Sequence, residues 1–66
     1  MSAVLQKEIE QPETARKILM CAERLFATKG YEAASIRDIT TEAGVNLASI
    51  HYHFGSKEKL LEELLK

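Results

Sequence analysis

Pro12, Gly30, Gly44 and Gly55 are the helix breakers of this chain, and they divide it into four short segments. Each segment carries helical periodicity, and none combines strand alternation with turn chemistry. After a polar lead-in over residues 1–11, Pro12 suits a first helical position, where its missing donor would be unpaired anyway. Gly30 suits the left-handed residue that follows a helix. The spacing therefore predicts a first helix from roughly Pro12 to Lys29. Along it Ile18, Leu19, Ala22, Leu25 and Phe26 fall on one stripe for burial, with Arg16, Lys17, Glu23 and Arg24 largely outside it.

The second segment opens with Ser35-Ile36-Arg37-Asp38, a capping serine with an acidic residue three positions on, and closes at Gly44. Ile36, Ile39 and Ala43 mark its apolar face. Asn46 is placed to cap a third helix over Leu47 to His53, with Val45, Ile50 and Phe54 facing inward. Ser56 is placed to cap a fourth, striped by Leu60, Leu61, Leu64 and Leu65. The expected fold class is all-α.

A chain of 66 residues has room for one small domain, which buries a modest fraction of its surface. The one cysteine, Cys21, excludes an internal disulfide and is expected to be a small buried apolar side chain. The N-terminus MSAVLQKEIEQ lacks the basic start and apolar core of a signal peptide, and no run approaches the ~20 apolar residues of a membrane span. The expected location is the cytoplasm, with no membrane association. His51 and His53 do not make a metal pair, because residues two apart on a helix point about 200° apart. The acid, base and nucleophile side chains form no catalytic constellation, so neither enzymatic activity nor a cofactor or metal is expected.

Charge does not predict a nucleic-acid partner: nine basic and ten acidic residues give a net charge of -1. The argument for DNA rests on geometry instead. Two short helices joined by a tight turn with glycine at its start are the parts of a helix-turn-helix, whose second helix enters the major groove while the first crosses the backbone. Here the turn is Gly44-Val45-Asn46 and the motif covers about residues 35–54. Gly44 would take the conformation that side chains resist, Val45 would plug the gap between the helices, and Asn46 would restart the chain as a helix whose N-terminus attracts phosphate.

At these residues the sequence resembles the TetR family of transcriptional regulators. The resemblance covers about Pro12 to Leu61. It is carried by Arg16 with Ile18-Leu19, Ala22 followed by Leu25-Phe26, Gly30-Tyr31, Ser35-Ile36-Arg37-Asp38-Ile39, Ala43-Gly44-Val45 and, most specifically, IHYHFGSKEKLL. It implies a homeodomain-like three-helix bundle over residues 12–66, followed by the start of a fourth, connecting helix. It further implies a larger C-terminal domain absent from this chain, which binds a small-molecule effector and forms a homodimer. The dimer would read a palindromic operator in double-stranded DNA, and effector binding would change the distance between its heads and release it.

The same resemblance assigns roles. Asn46, Leu47, Ala48 and Ser49 would approach base edges; Leu47 and Ala48 can read only a thymine methyl, whereas Ser49 can donate or accept at several bases. Arg37 matches a position that reaches base or phosphate in relatives, and Ser35 near it at the head of the second helix is likewise expected at the DNA. Tyr52, His53 and Lys57 would hold phosphates and set register. His51 departs from the tyrosine usual after the buried aliphatic of the recognition helix, so the roles of His51 and Tyr52 are open to exchange. Thr40 departs from a common alanine and is expected only to bond back to a carbonyl. Tyr31 is expected to lid the core. A rival reading is a small helical interaction module that pairs with a partner helix through Leu64 and Leu65, which have few partners in a three-helix core.

Overall fold

The computed structural model describes residues 12–66; the expected polar tail over residues 1–11 lies outside the described residues. Four helices follow in chain order: α1 (Pro12–Lys29), α2 (Ile36–Ala43), α3 (Leu47–His53) and α4 (Lys57–Leu64). No strand occurs among the described residues. The ends lie where local chemistry places them. Glu13 in the first turn of α1 and Lys29 in its last complement the helix dipole. The Gly30 amide then donates to the Phe26 carbonyl at 3.1 Å as the backbone turns left-handed.

A reciprocal capping box starts α2. The Asp38 amide donates to the Ser35 hydroxyl and the Ser35 amide to the Asp38 carboxylate, each at 3.0 Å. Ser56 caps α4 by accepting the Lys59 amide at 3.2 Å. Asn46 stands at the cap position of α3 with extended backbone, but its side chain makes no capping hydrogen bond. The first turn of α3 closes through the backbone, the Ser49 amide donating to the Asn46 carbonyl at 3.0 Å.

The longest helix, α1, is the spine: it packs against α2, α3 and α4, and α2 packs in turn against α3. Its buried stripe is Ile18, Ala22 and Leu25, with Leu19, Cys21 and Phe26 packed at the margin. Ile39 from α2, Ile50 from α3 and Leu60 from α4 are fully enclosed against it. Burying each of these large aliphatics stabilises the fold by about 1.5–3 kcal/mol, so each short helix is held mainly by one central side chain. Ala34, in the loop before α2, is also core and had no sequence signal.

Two expectations are adjusted and a third is met. Cys21 is half-buried rather than enclosed, and burial, then the nearby Glu42 carboxylate, pushes its thiol above the ordinary value, so it stays protonated. Leu64 is not spare, because it packs on the core beside the enclosed Leu60. Leu65 is 75% exposed and remains outside, while Leu60 and Leu64 of the same stripe serve their own domain. Tyr31 does lid the core: its ring meets Phe26 edge-on at 5.0 Å, and the Lys57 ammonium lies 4.3 Å above the same ring.

Candidate nucleic-acid interface

The unit from Ser35 to Phe54 is two helices set by a three-residue turn. Gly44 has φ 69° and ψ 36°, the left-handed region, and its amide donates to the Thr40 carbonyl at 2.9 Å. The Val45 amide reaches the same carbonyl at 3.1 Å, which satisfies two donors as the chain turns. Val45 then packs against the core, and Asn46 redirects the chain into α3. Thr40 does as expected, its hydroxyl donating to the Arg37 carbonyl at 2.9 Å.

Two ion pairs dock α2 onto α1. Lys29 at the end of α1 meets Asp38 at 3.1 Å, and Arg24, about a turn earlier, pairs with Glu42. The Ser35 amide, then Lys29 and the Ser35 side chain, hold the Asp38 carboxyl below the ordinary carboxylate range. Both acids of α2 are thereby turned toward α1 and partly neutralised. Arg37, which has Asp38 and Glu42 for acidic neighbours on its own helix, forms no ion pair among the described residues and is exposed. A helix with two acids and one arginine therefore presents the arginine outward.

The outer face of α3 is selective in what it offers. Leu47 is 52% exposed, Ala48 is exposed, and Tyr52 is 65% exposed. His51 is exposed too, with its ring held through Nδ1, which lies 3.3 Å from the Gly55 carbonyl. If that nitrogen donates to the carbonyl, the neutral ring keeps Nε2 as an acceptor. These residues share one side of the motif with Asn46 at its start.

Two side chains expected at DNA are turned elsewhere. Ser49 is fully buried, because its place between Ala48 and Ile50 falls on the side of α3 that meets α1 and α2; it is not presented to base edges. His53 is half-buried with its ring between Tyr52 and Phe54, at 5.1 and 6.1 Å. Its Nε2 is enclosed and has no hydrogen-bond partner among the described residues, so that edge does not face a phosphate. Lys57 lies over Tyr31 at the start of α4, and the Ser35 hydroxyl oxygen caps α2 while its proton has no acceptor among the described residues. The contacts missed by sequence reading, Arg24–Glu42, Lys29–Asp38 and Tyr31–Lys57, join residues of different helices or loops, for which no spacing rule exists.

Comparison with known proteins agrees with this arrangement. The profile of the family described as bacterial regulatory proteins, tetR family, matches residues 18–64. The chain is 40% identical to the HTH-type transcriptional repressor KstR2 of Mycolicibacterium smegmatis over 57 residues, 85% of this chain and 28% of that protein. It is 40% identical to the KstR2 repressor of Rhodococcus jostii over 50 residues, 76% of this chain and 24% of that protein. It is 38% identical over 50 residues to IcaR of Staphylococcus aureus, a negative transcriptional regulator of a biofilm operon, covering 76% of this chain and 27% of that one. The chain thus spans about a quarter of the length of these relatives. No solved structure matches it. With the family profile covering α1 from Ile18 onward, the whole turn unit and α4, the chain belongs to the TetR family of bacterial regulatory proteins.

Proposed function

We propose that this chain is the sequence-specific DNA-binding head of a transcriptional repressor. One observation carries the reading: α2 and α3 are locked at the Gly44 turn with Leu47, Ala48, His51 and Tyr52 exposed on α3 and, on α2, an exposed Arg37 that forms no ion pair among the described residues. In this reading α3 enters the major groove and α2 crosses the backbone. Arg37 supplies the strong base contact, since a guanidinium can bond guanine bidentately. Ser35, Tyr52 and Lys57 hold phosphates and set register, and Lys57 shares its charge between the Tyr31 ring and the DNA backbone. His51 stands where either role is open to it, and Asn46 is placed at the groove-facing start of α3.

The net charge of -1 is compatible with this role because the acids of α2 are paired toward α1, away from Arg37. Few phosphate contacts imply weak non-specific binding with a shallow dependence on salt. The finer expectations follow the family: a C-terminal domain joined through α4, a homodimer, a palindromic operator in double-stranded DNA and a small-molecule effector that releases it. A single head would bind a half-site weakly, and dimerisation would raise affinity through effective concentration.

The test is selection of tight binders from random duplex DNA by the chain fused to a dimerising helix, then titration at two salt concentrations. The expected result is a palindrome preferred over random DNA by ~1,000-fold or more. Equal binding to all sequences that vanishes with salt overturns the reading.

A further inference from the structure

The first turn of α3 shows solvent two side chains, Leu47 and Ala48, while Ser49 and Ile50 after them are fully buried. With Ser49 withdrawn, the part of the helix that would lie deepest in a groove has an apolar surface. Leu47 stands out from the other aliphatics of the motif: Ile39 and Ile50 are enclosed, Ile36 and Val45 pack on the core, and Leu47 alone is more than half exposed. It adds nothing to the core of this domain. In the major groove the one apolar group on a base edge is the C5-methyl of thymine, and the remaining edge atoms are donors and acceptors that a leucine leaves unpaired.

We propose that Leu47 reads one thymine of each half-site through its C5-methyl group. This deepens the DNA-binding reading and rests on it. It assigns the specificity of the helix start to burial of a methyl group rather than to hydrogen bonding, with hydrogen-bond readout left to Arg37 on the neighbouring helix. Ala48 is too short to make the same reach and lines the approach. A thymine is thereby separated from cytosine, which carries only a hydrogen at C5 where thymine has the methyl.

Uracil tests this, since it differs from thymine only by the methyl and keeps every pairing atom. Using the 66-residue chain and a duplex obtained by selection, each thymine is replaced in turn by deoxyuridine and binding is followed by fluorescence anisotropy. One position per half-site is expected to lose about fourfold in affinity, the worth of one buried methyl-sized group. In Leu47→Ala that position binds thymine and uracil alike, whereas Leu47→Met, which keeps the apolar reach, retains the penalty. Circular dichroism of both variants is expected to match the native chain, because the site lies outside the core. If the selected duplex keeps its preference over random DNA while no uracil is felt, or if Leu47→Ala keeps the penalty, the inference is overturned and the DNA-binding reading stands. If no duplex is preferred over random DNA, the reading beneath it falls and takes the inference with it.

Discussion

Replacing Gly44 by alanine isolates the conformational demand of the turn between α2 and α3. The residue sits at φ 69° and ψ 36°, and a Cβ built there meets no heavy atom within 4 Å. A clash therefore adds nothing, and the whole effect is the dihedral preference. The left-handed region costs an L-residue roughly 1–2 kcal/mol. Alanine also narrows the unfolded ensemble, which returns about 0.4–1 kcal/mol. The net expectation is destabilisation by about 1 kcal/mol, or some 4–8 °C in melting temperature for a domain of this size. Asparagine is larger but tolerates the left-handed region, so Gly44→Asn is expected to lose less than Gly44→Ala. Urea titration followed by far-ultraviolet circular dichroism measures both. A Gly44→Ala chain more stable than the native one, or an asparagine variant worse than alanine, would refute the reasoning, since size rather than dihedral angle would then control the site.

Ile50→Ala, which empties the one large side chain of α3 that is fully enclosed, is expected to cost about 2–5 kcal/mol and to abolish the folding transition or bring it near room temperature; a thermal melt shifted by only a few degrees would contradict it. Asp38 has a folded pKa below its unfolded one, so its contribution is present above the unfolded value and is lost as pH falls through the folded value. Asp38→Asn should therefore flatten the fall in urea midpoint below ~pH 4, and an unchanged acid profile would exclude the capping box and Lys29 contact as its source. On operator and random duplexes compared side by side, Lys57→Ala is expected to weaken both alike, while Arg37→Ala also lowers the ratio between them; equal losses for Arg37→Ala would remove its role in base readout.

The helices and their ends were legible in the chain because caps act within a few residues: Ser35 with Asp38, Ser56 with Lys59, and a glycine after each of α1 and α2. The core stripe of α1 was legible for the same reason, since a period of 3.6 sorts Ile18, Ala22 and Leu25 onto one face wherever the helix is placed. The Gly44-Val45-Asn46 turn and the residues that resemble the TetR family were likewise on the page of the sequence, and they located the candidate site. What lay beyond it was the rotation of each short helix against its neighbours. A helix of seven residues such as α3 has too few turns for its own pattern to separate an edge position from a buried one. Packing on α1 and α2 decided that Ser49 turns inward, that the Nε2 of His53 is enclosed, and that Leu47 stays outside. The pairings of Arg24 with Glu42, Lys29 with Asp38 and Lys57 with Tyr31 depend in the same way on how the helices and the loop after α1 come together. Such contacts join residues far apart in sequence, and only the tertiary fold brings them within reach.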